Sequence, residues 1–253
     1  MKNAILVVLT VVLSCSISAD VFDNWNEKYN GLVKDYVKSS TVKGIKGNYV
    51  DYKGLRSDKR VNQLRTQLAS LPSLSSLPRN KRLACWINYY NFLTLHVVAK
   101  NPGLKGLQDL NKPNKNVWNQ SVGKVLGSSY TLDHIEHKII RKYFKEPRIH
   151  FALVCAAVSC PNLLNEAYTA NKLESQLQSQ LRAFALNKKK GINLDKNGRV
   201  LRLSSLFDWF KDDFGGNSKK WLQNNKIIPS YALNYKVEYL NYDWDLNALP
   251  GKN

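Results

Sequence analysis

From Leu83 to Val98 the chain is apolar nearly all the way round a helix, interrupted only by Asn88, Asn91, Thr94 and His96. A helix without a polar face must be enclosed by other elements. The chain therefore has to wrap this segment, and the fold class that follows is α+β. We expect a single domain in which the buried helix packs on a small, mainly antiparallel sheet, with outer amphipathic helices. A papain/transglutaminase-like arrangement is one version of that frame. Residues three apart on a helix share a side, so Asn88 and Asn91 look the same way, and buried amides need partners. Those partners are a neighbouring backbone in one reading and a substrate or catalytic imidazole in the other. Cys85 and His96 lie about 16 Å apart along the axis and cannot form a dyad.

The 253 residues contain no repeat and no low-complexity linker, so one core is expected. Lys2, the apolar run Ala4–Leu13 and small residues up to Ala19 have the layout of a signal peptide. Cleavage after Ala19 would leave a secreted, periplasmic or extracellular protein; Cys15 offers a lipoprotein anchor as the alternative. A helical extension is expected over 20–47, the main domain over 48–247 and a short tail over 248–253. The formal charge of +19 favours polyanions or an anionic membrane surface as partners. No sequence-specific nucleic-acid binding is expected, because no recognition motif accompanies the charge. The run Lys188-Lys189-Lys190 reads as a solvated loop.

Beyond the core helix, the pattern predicts a strand over 48–56, a helix over 57–69 and irregular chain over 100–130. Asp133 with Glu136 three residues on reads as an N-cap and capping box, opening a helix to about Phe144. Ordinary α-helical winding puts Leu132, Ile135, Glu136, Ile139 and Tyr143 on one stripe. A carboxylate there is costly unless paired, so Glu136 needs a partner such as Arg141 or Arg148, or is a site acid. Ile149–Val154 is β-branched and aromatic, as in a buried strand, and breaks into Cys155-Ala156-Ala157-Val158-Ser159-Cys160-Pro161. A helix over 171–185, a hairpin over 192–203 with an Asn-Gly turn, a short helix at 206–210 and a strand over 235–242 complete the chain.

Four blocks in order resemble the DUF547 family: Cys85-Trp86-Ile87-Asn88-Tyr89-Tyr90-Asn91, Leu132-Asp133-His134-Ile135-Glu136-His137, Ile149–Cys155 with Ser159-Cys160-Pro161, and Tyr242-Asp243-Trp244 with Leu246-Asn247. The resemblance covers roughly residues 50–247. It implies that Asn88, Asn91, Glu136, His137 and the paired cysteines share one constellation. The family has no assigned function, so no activity comes with it. Cys85 departs from the pattern, where an aromatic residue is expected.

Two functions follow from these residues. One is a cysteine-dependent hydrolase or acyl transferase with Cys155 or Cys160 as nucleophile, His137 as base and Glu136, Asn88 or Asn91 as orienters. His150 is kept as a binding residue, since on a strand it would lie roughly 16 Å from Cys155. The other is a non-catalytic binding module with a Cys155–Cys160 disulfide and a basic surface. Thiol redox chemistry lacks the Cys-x-x-Cys spacing. His134, His137 and a thiol match no standard zinc spacing, so no metal and no cofactor is expected.

Overall fold

The computed structural model describes residues 21–253; the expected signal peptide lies outside them. The core helix forms as read: α4, Arg79–Lys100, is buried at nearly every position from Leu83 to Ala99. A first helix, α1 over 21–36, lays Trp25 and Tyr29 edge-on against Tyr89 and Phe92 of α4. The Trp25 indole N–H meets its need by donating to the Leu64 carbonyl at 3.0 Å.

The extension expected to be helical to residue 47 turns instead into a hairpin, β1 Val37–Val42 and β2 Ile45–Val50. Lys43 and Gly44 both have positive φ (50° and 71°), the geometry of a two-residue hairpin turn. The second half of the strand expected at 48–56 is a helix, α2 Tyr52–Ser57, whose first turn is capped by the Asp51 carboxylate on Gly54 N. Asp58 caps α3, Lys59–Ser70, in the same way.

Among the described residues, strands divide among three small sheets: β1–β2, β3–β4 (Ser121–Val125 and Ser128–Thr131), and β5–β6–β7 (Ile192–Asp195, Val200–Leu203, Lys236–Tyr239). All pairs are antiparallel except β6–β7. The α+β class stands, with three small sheets among the described residues in place of the one sheet expected beside the core helix. The β5–β6 connection is wider than an Asn-Gly turn, with Arg199 rather than Gly198 in the left-handed region.

The largest departure concerns Ile149–Val154. This run is a 3-10 turn, Pro147–Phe151, followed by irregular extended chain. It is apolar because it threads between two cores. Ile149, Ala152, Leu153 and Val154 pack into the cluster around α4, whereas Phe151 packs against Phe184, Phe207 and Trp221 of the second. A continuous apolar run does not distinguish a buried strand from such a thread. Here side chains take the place of a neighbouring strand: Asn91 Nδ2 donates to Ala152 O (2.9 Å), Val154 N donates to Asn91 Oδ1 (3.0 Å), and Gln180 of α6 (Leu173–Ala185) reaches Phe151 O.

Beyond this thread, residues 156–159 run alongside the C-terminal segment. Val158 N donates to Asp245 O, Ser159 N to Asp243 O, and Asn247 N to Ala156 O. That pairing sets Tyr242 and Trp244 beside the cysteines. Lys190, expected in a solvated loop, is buried beneath the same turn and donates to Cys160 O (2.7 Å) and Asn162 Oδ1 (3.0 Å). Its neighbours Lys188 and Lys189 are exposed.

Candidate active site

The helix after β4 carries a cluster of titratable side chains, Asp133, His134, Glu136, His137 and Arg141. His134–Arg141 winds as a π-helix and continues into α5, Lys142–Phe144. Hydrogen bonds to the fifth residue widen the turn, so the buried side is Ile135, Ile140 and Phe144 rather than the stripe given by α-helical winding. Tyr143 is outside that side, 67% exposed. The capping box is absent: Asp133 makes no side-chain cap, and Thr131 Oγ1 accepts the His134 N–H instead. The wide winding also brings Glu136 and Arg141, five apart, to the same side.

Glu136 turns into a cavity of about 250 Å³ whose walls include Tyr90, His150, Phe210, Tyr242 and the two sulfurs of Cys155 and Cys160. Enclosure dominates its chemistry. Burial pushes its carboxyl up to about 7, and the Tyr90 hydroxyl and Arg141 only partly offset that. Tyr90 and Tyr242, shielded and close to Glu136, are both raised and stay neutral phenols. No arginine pairs with Glu136. Arg141 is taken by Asp213 through Nε (2.6 Å) and Nη2 (2.9 Å), and Arg148 by Glu146 and Glu174.

A chain of contacts runs from Asp133 through His137, Arg141 and Asp213 to His150, with its two ends and His137 in the cavity wall and Arg141 and Asp213 outside the lining. His137 Nε2 lies 3.5 Å from Asp133 Oδ1, and its Nδ1 accepts from Arg141 Nη1 at 2.9 Å. Asp213, clamped by Arg141, also accepts from His150 Nε2 at 2.6 Å. Burial works to raise the Asp213 carboxyl, but the bonds from His150 and Arg141 overcome it and hold it well below the usual carboxylate range. Burial lowers His150 against the pull of Asp213, and lowers His137 against that of Asp133. Because an arginine only donates, His137 carries its proton on Nε2, toward Asp133. The expected role of His137 as base to a thiol therefore has no free nitrogen to act through.

Cys155 and Cys160 are joined by a disulfide, so neither is a free nucleophile in this state. The bridge sits in the cavity wall with the Tyr242 hydroxyl 3.4 and 3.1 Å from its two sulfurs. Among the described residues the free cysteine is Cys85, buried in the core. His150 was set aside as too distant from Cys155 on strand geometry; with no strand present, both line one cavity.

Asn88 and Asn91 do not line it. Asn88 Nδ2 donates to Tyr168 O, and Tyr168 N donates to Asn88 Oδ1, both at 2.9 Å. Asn91 holds the thread at Ala152 and Val154 as described. The expected binding role of these two amides gives way to a positioning role, with Asn91 fixing the chain just ahead of Cys155.

Trp118 and Trp209 carried no sequence signal for the cavity, and neither did Asp213, which is outside its lining and bears on it through Arg141 and His150; Trp244 stood out only through the family resemblance. Trp244 packs against all of its aromatic neighbours at ring-centre distances of 5.8 Å (Trp118), 5.7 Å (Trp209) and 4.5 Å (Tyr242).

Residues 74–185 match the family described as "Protein of unknown function, DUF547". This segment is a DUF547 domain. No curated protein and no solved structure matches the chain significantly. The DUF547 domain holds α4, the π-helix, the thread and the disulfide, and so supplies Tyr90, Glu136, His150 and both sulfurs. Leu206, Trp209, Phe210, Tyr242 and Trp244 come from beyond the DUF547 match, so the cavity closes only when residues 206–244 fold back over it.

Proposed function

We propose that the protein is an exported hydrolase in which Glu136 exchanges the proton and the Cys155–Cys160 bridge is structural. The observation that carries this reading is a carboxyl lifted to about 7 inside an aromatic-walled cavity. A proton-transfer group works best when its pKa is near the operating pH, and such displaced groups concentrate at functional sites. In the ionised form Glu136 takes a proton from water as the water oxygen bonds to an acyl carbon. It then returns that proton to the leaving oxygen or nitrogen as the old bond breaks. An ester and water thus give an acid and an alcohol, with the carboxylate regenerated. His150, oriented by Asp213, is the second polar contact for the reacting group.

Export is part of the proposal, and the disulfide supports it because such bonds persist in oxidising compartments. A second reading keeps a thiol nucleophile. It is favoured by the Cys155 N–H, which donates to Cys160 Sγ at 3.1 Å and would stabilise a thiolate once the bridge is reduced, with His150 on the same wall as the base. Contact with an anionic polymer or membrane is supported by a separate groove lined by Lys46, Lys188 and Lys189.

The test is hydrolysis of nitrophenyl esters of short acids by the full chain and by Glu136→Gln, with and without dithiothreitol. The proposal expects activity without reductant, rising with pH through about 7 and falling by at least about a hundredfold in the variant. Full activity in Glu136→Gln would overturn it. Activity that appears only after reduction and is blocked by iodoacetamide would favour the thiol.

A further inference from the structure

The chain carries 38 basic and 19 acidic residues, yet among the described residues lining the cavity there is no lysine or arginine. Its formally charged wall groups are two carboxyls, Asp133 and Glu136. The remainder is largely aromatic, with Trp118, Trp209, Tyr242 and Trp244 forming a connected group in which rings incline to one another by 49° to 63° except for the stacked Trp209–Trp244 pair. Trp209 is 48% exposed, so this group is not closed off from solvent. The guanidinium that acts on Glu136, that of Arg141, is outside the lining and held by Asp213.

An anionic ligand would meet two carboxyls and no compensating charge there. A cation would meet π-faces, which attract it through the ring quadrupole, and carboxyls able to balance its charge. A volume of about 250 Å³ is just under the roughly 300 Å³ at which drug-sized pockets begin, so the occupant is small. We infer that the cavity takes a small organic cation of the alkylammonium class, held by the Trp118–Trp209–Tyr242–Trp244 group and the Asp133 and Glu136 carboxyls. This deepens the proposed function and rests on it, since it names the substrate class of the same site.

The two ideas also agree in protonation state. Glu136 is faced by Tyr90 from α4, by Asp133 and Arg141 from its own helix, by Asp213 from the segment after α7 (Leu206–Trp209), and by Tyr242 from the C-terminal segment. His137 and His150 complete the polar wall. Of these, the Tyr90 hydroxyl and Arg141 favour the charged form of Glu136, but Arg141 is the one positive charge among them and its guanidinium is already shared with Asp213. A bound ammonium supplies the missing positive charge, favours the carboxylate and leaves Glu136 ready to accept a proton. Binding therefore tightens as pH rises through the range in which Glu136 ionises.

The experiment compares choline with 3,3-dimethylbutan-1-ol, which has carbon in place of the charged nitrogen, by tryptophan fluorescence titration of the full chain at pH 6 and pH 8. The inference expects saturable binding of choline, at least about tenfold weaker binding of the neutral isostere, and tighter choline binding at pH 8. Glu136→Gln should abolish the pH dependence, and Trp209→Ala, at a part-exposed site, should weaken choline with little effect on folding. Equal binding of the two probes would overturn the inference, as would no saturable binding of either by folded protein. Neither result bears on hydrolysis of neutral esters, which is read separately and decides the proposed function by itself.

Discussion

Glu136→Gln should make the protein more stable at alkaline pH and less sensitive to pH altogether. An ordinary glutamate titrates near 4.5, and enclosure in the cavity lifts Glu136 to about 7. Each tenfold change in proton affinity is worth about 1.4 kcal/mol, so ionising this carboxyl in the folded protein costs about 3 kcal/mol relative to the unfolded chain. The direction follows from proton counts. Between about 4.5 and about 7 the folded state holds a proton that the unfolded state has released. Stability rises with pH where the unfolded state binds more protons, so here it falls. This contribution is fully favourable below 4.5, declines across that window and stays lost above it. Glutamine keeps the shape and cannot ionise. Urea unfolding of the wild type and Glu136→Gln at half-unit pH steps from 4 to 9 should show the difference between them moving by about 3 kcal/mol in favour of the variant, mostly between pH 5 and 7. A difference that stays flat across this range would mean that Glu136 titrates like a solvated carboxyl, and the reasoning about the cavity would fail.

Three further outcomes test other parts of the site. Asn91→Ala strands the carbonyl of Ala152 and the N–H of Val154, both buried; at about 1–3 kcal/mol for each unsatisfied group, thermal unfolding should show a loss of roughly 2–6 kcal/mol. Replacing both Cys155 and Cys160 by serine should cost about 2 kcal/mol, the value for so short a closed loop, while ester hydrolysis persists; complete loss of hydrolysis in a folded double variant would return the sulfurs to the chemistry. Asp213→Asn removes a carboxylate that raises Glu136 and frees the Arg141 guanidinium that lowers it. The midpoint of the pH–rate profile should therefore move to lower pH, and an unchanged or higher midpoint would contradict the electrostatic account.

How much of this was legible in the chain depends on whether a signal was local. The buried helix α4 was, because no other environment suits a segment apolar on every side. So were α3, α6 and the β5–β6 hairpin, each with its own period or turn. The β1–β2 hairpin was hidden because Lys43, not an Asn or Gly, occupies the first left-handed position of its turn. The π-helix was hidden for a similar reason: nothing in Asp133–Arg141 announces a wider turn, so α-helical winding placed Ile139 and Tyr143 where Ile140 and Phe144 belong.

Within the site, Glu136 could be singled out, since a carboxylate on an apolar stripe is anomalous wherever the stripe falls. Its partner could not. Arg141 was a natural candidate by spacing, but Asp213, far away in the chain, claims it. The same long-range contact gives His150 its partner, and the strand wrongly assigned to Ile149–Val154 had put that histidine out of reach. The aromatic wall gathers residues from 118 to 244, and no local pattern distinguishes a tryptophan at a cavity mouth from one in a core. Lys190 is the counterpart among the charges: one of three consecutive lysines, it alone is buried, because three carbonyl oxygens of the cysteine turn and its flank converge on it.

The central claim is that Glu136 exchanges its proton near neutrality because the folded chain encloses it. Carbon-13 NMR of glutamate-labelled protein, with Glu136→Gln identifying the resonance, measures this directly. The account predicts a side-chain carboxyl that titrates with a midpoint near 7 and is missing in the variant; a Glu136 carboxyl titrating near 4.5 in the folded protein would contradict it.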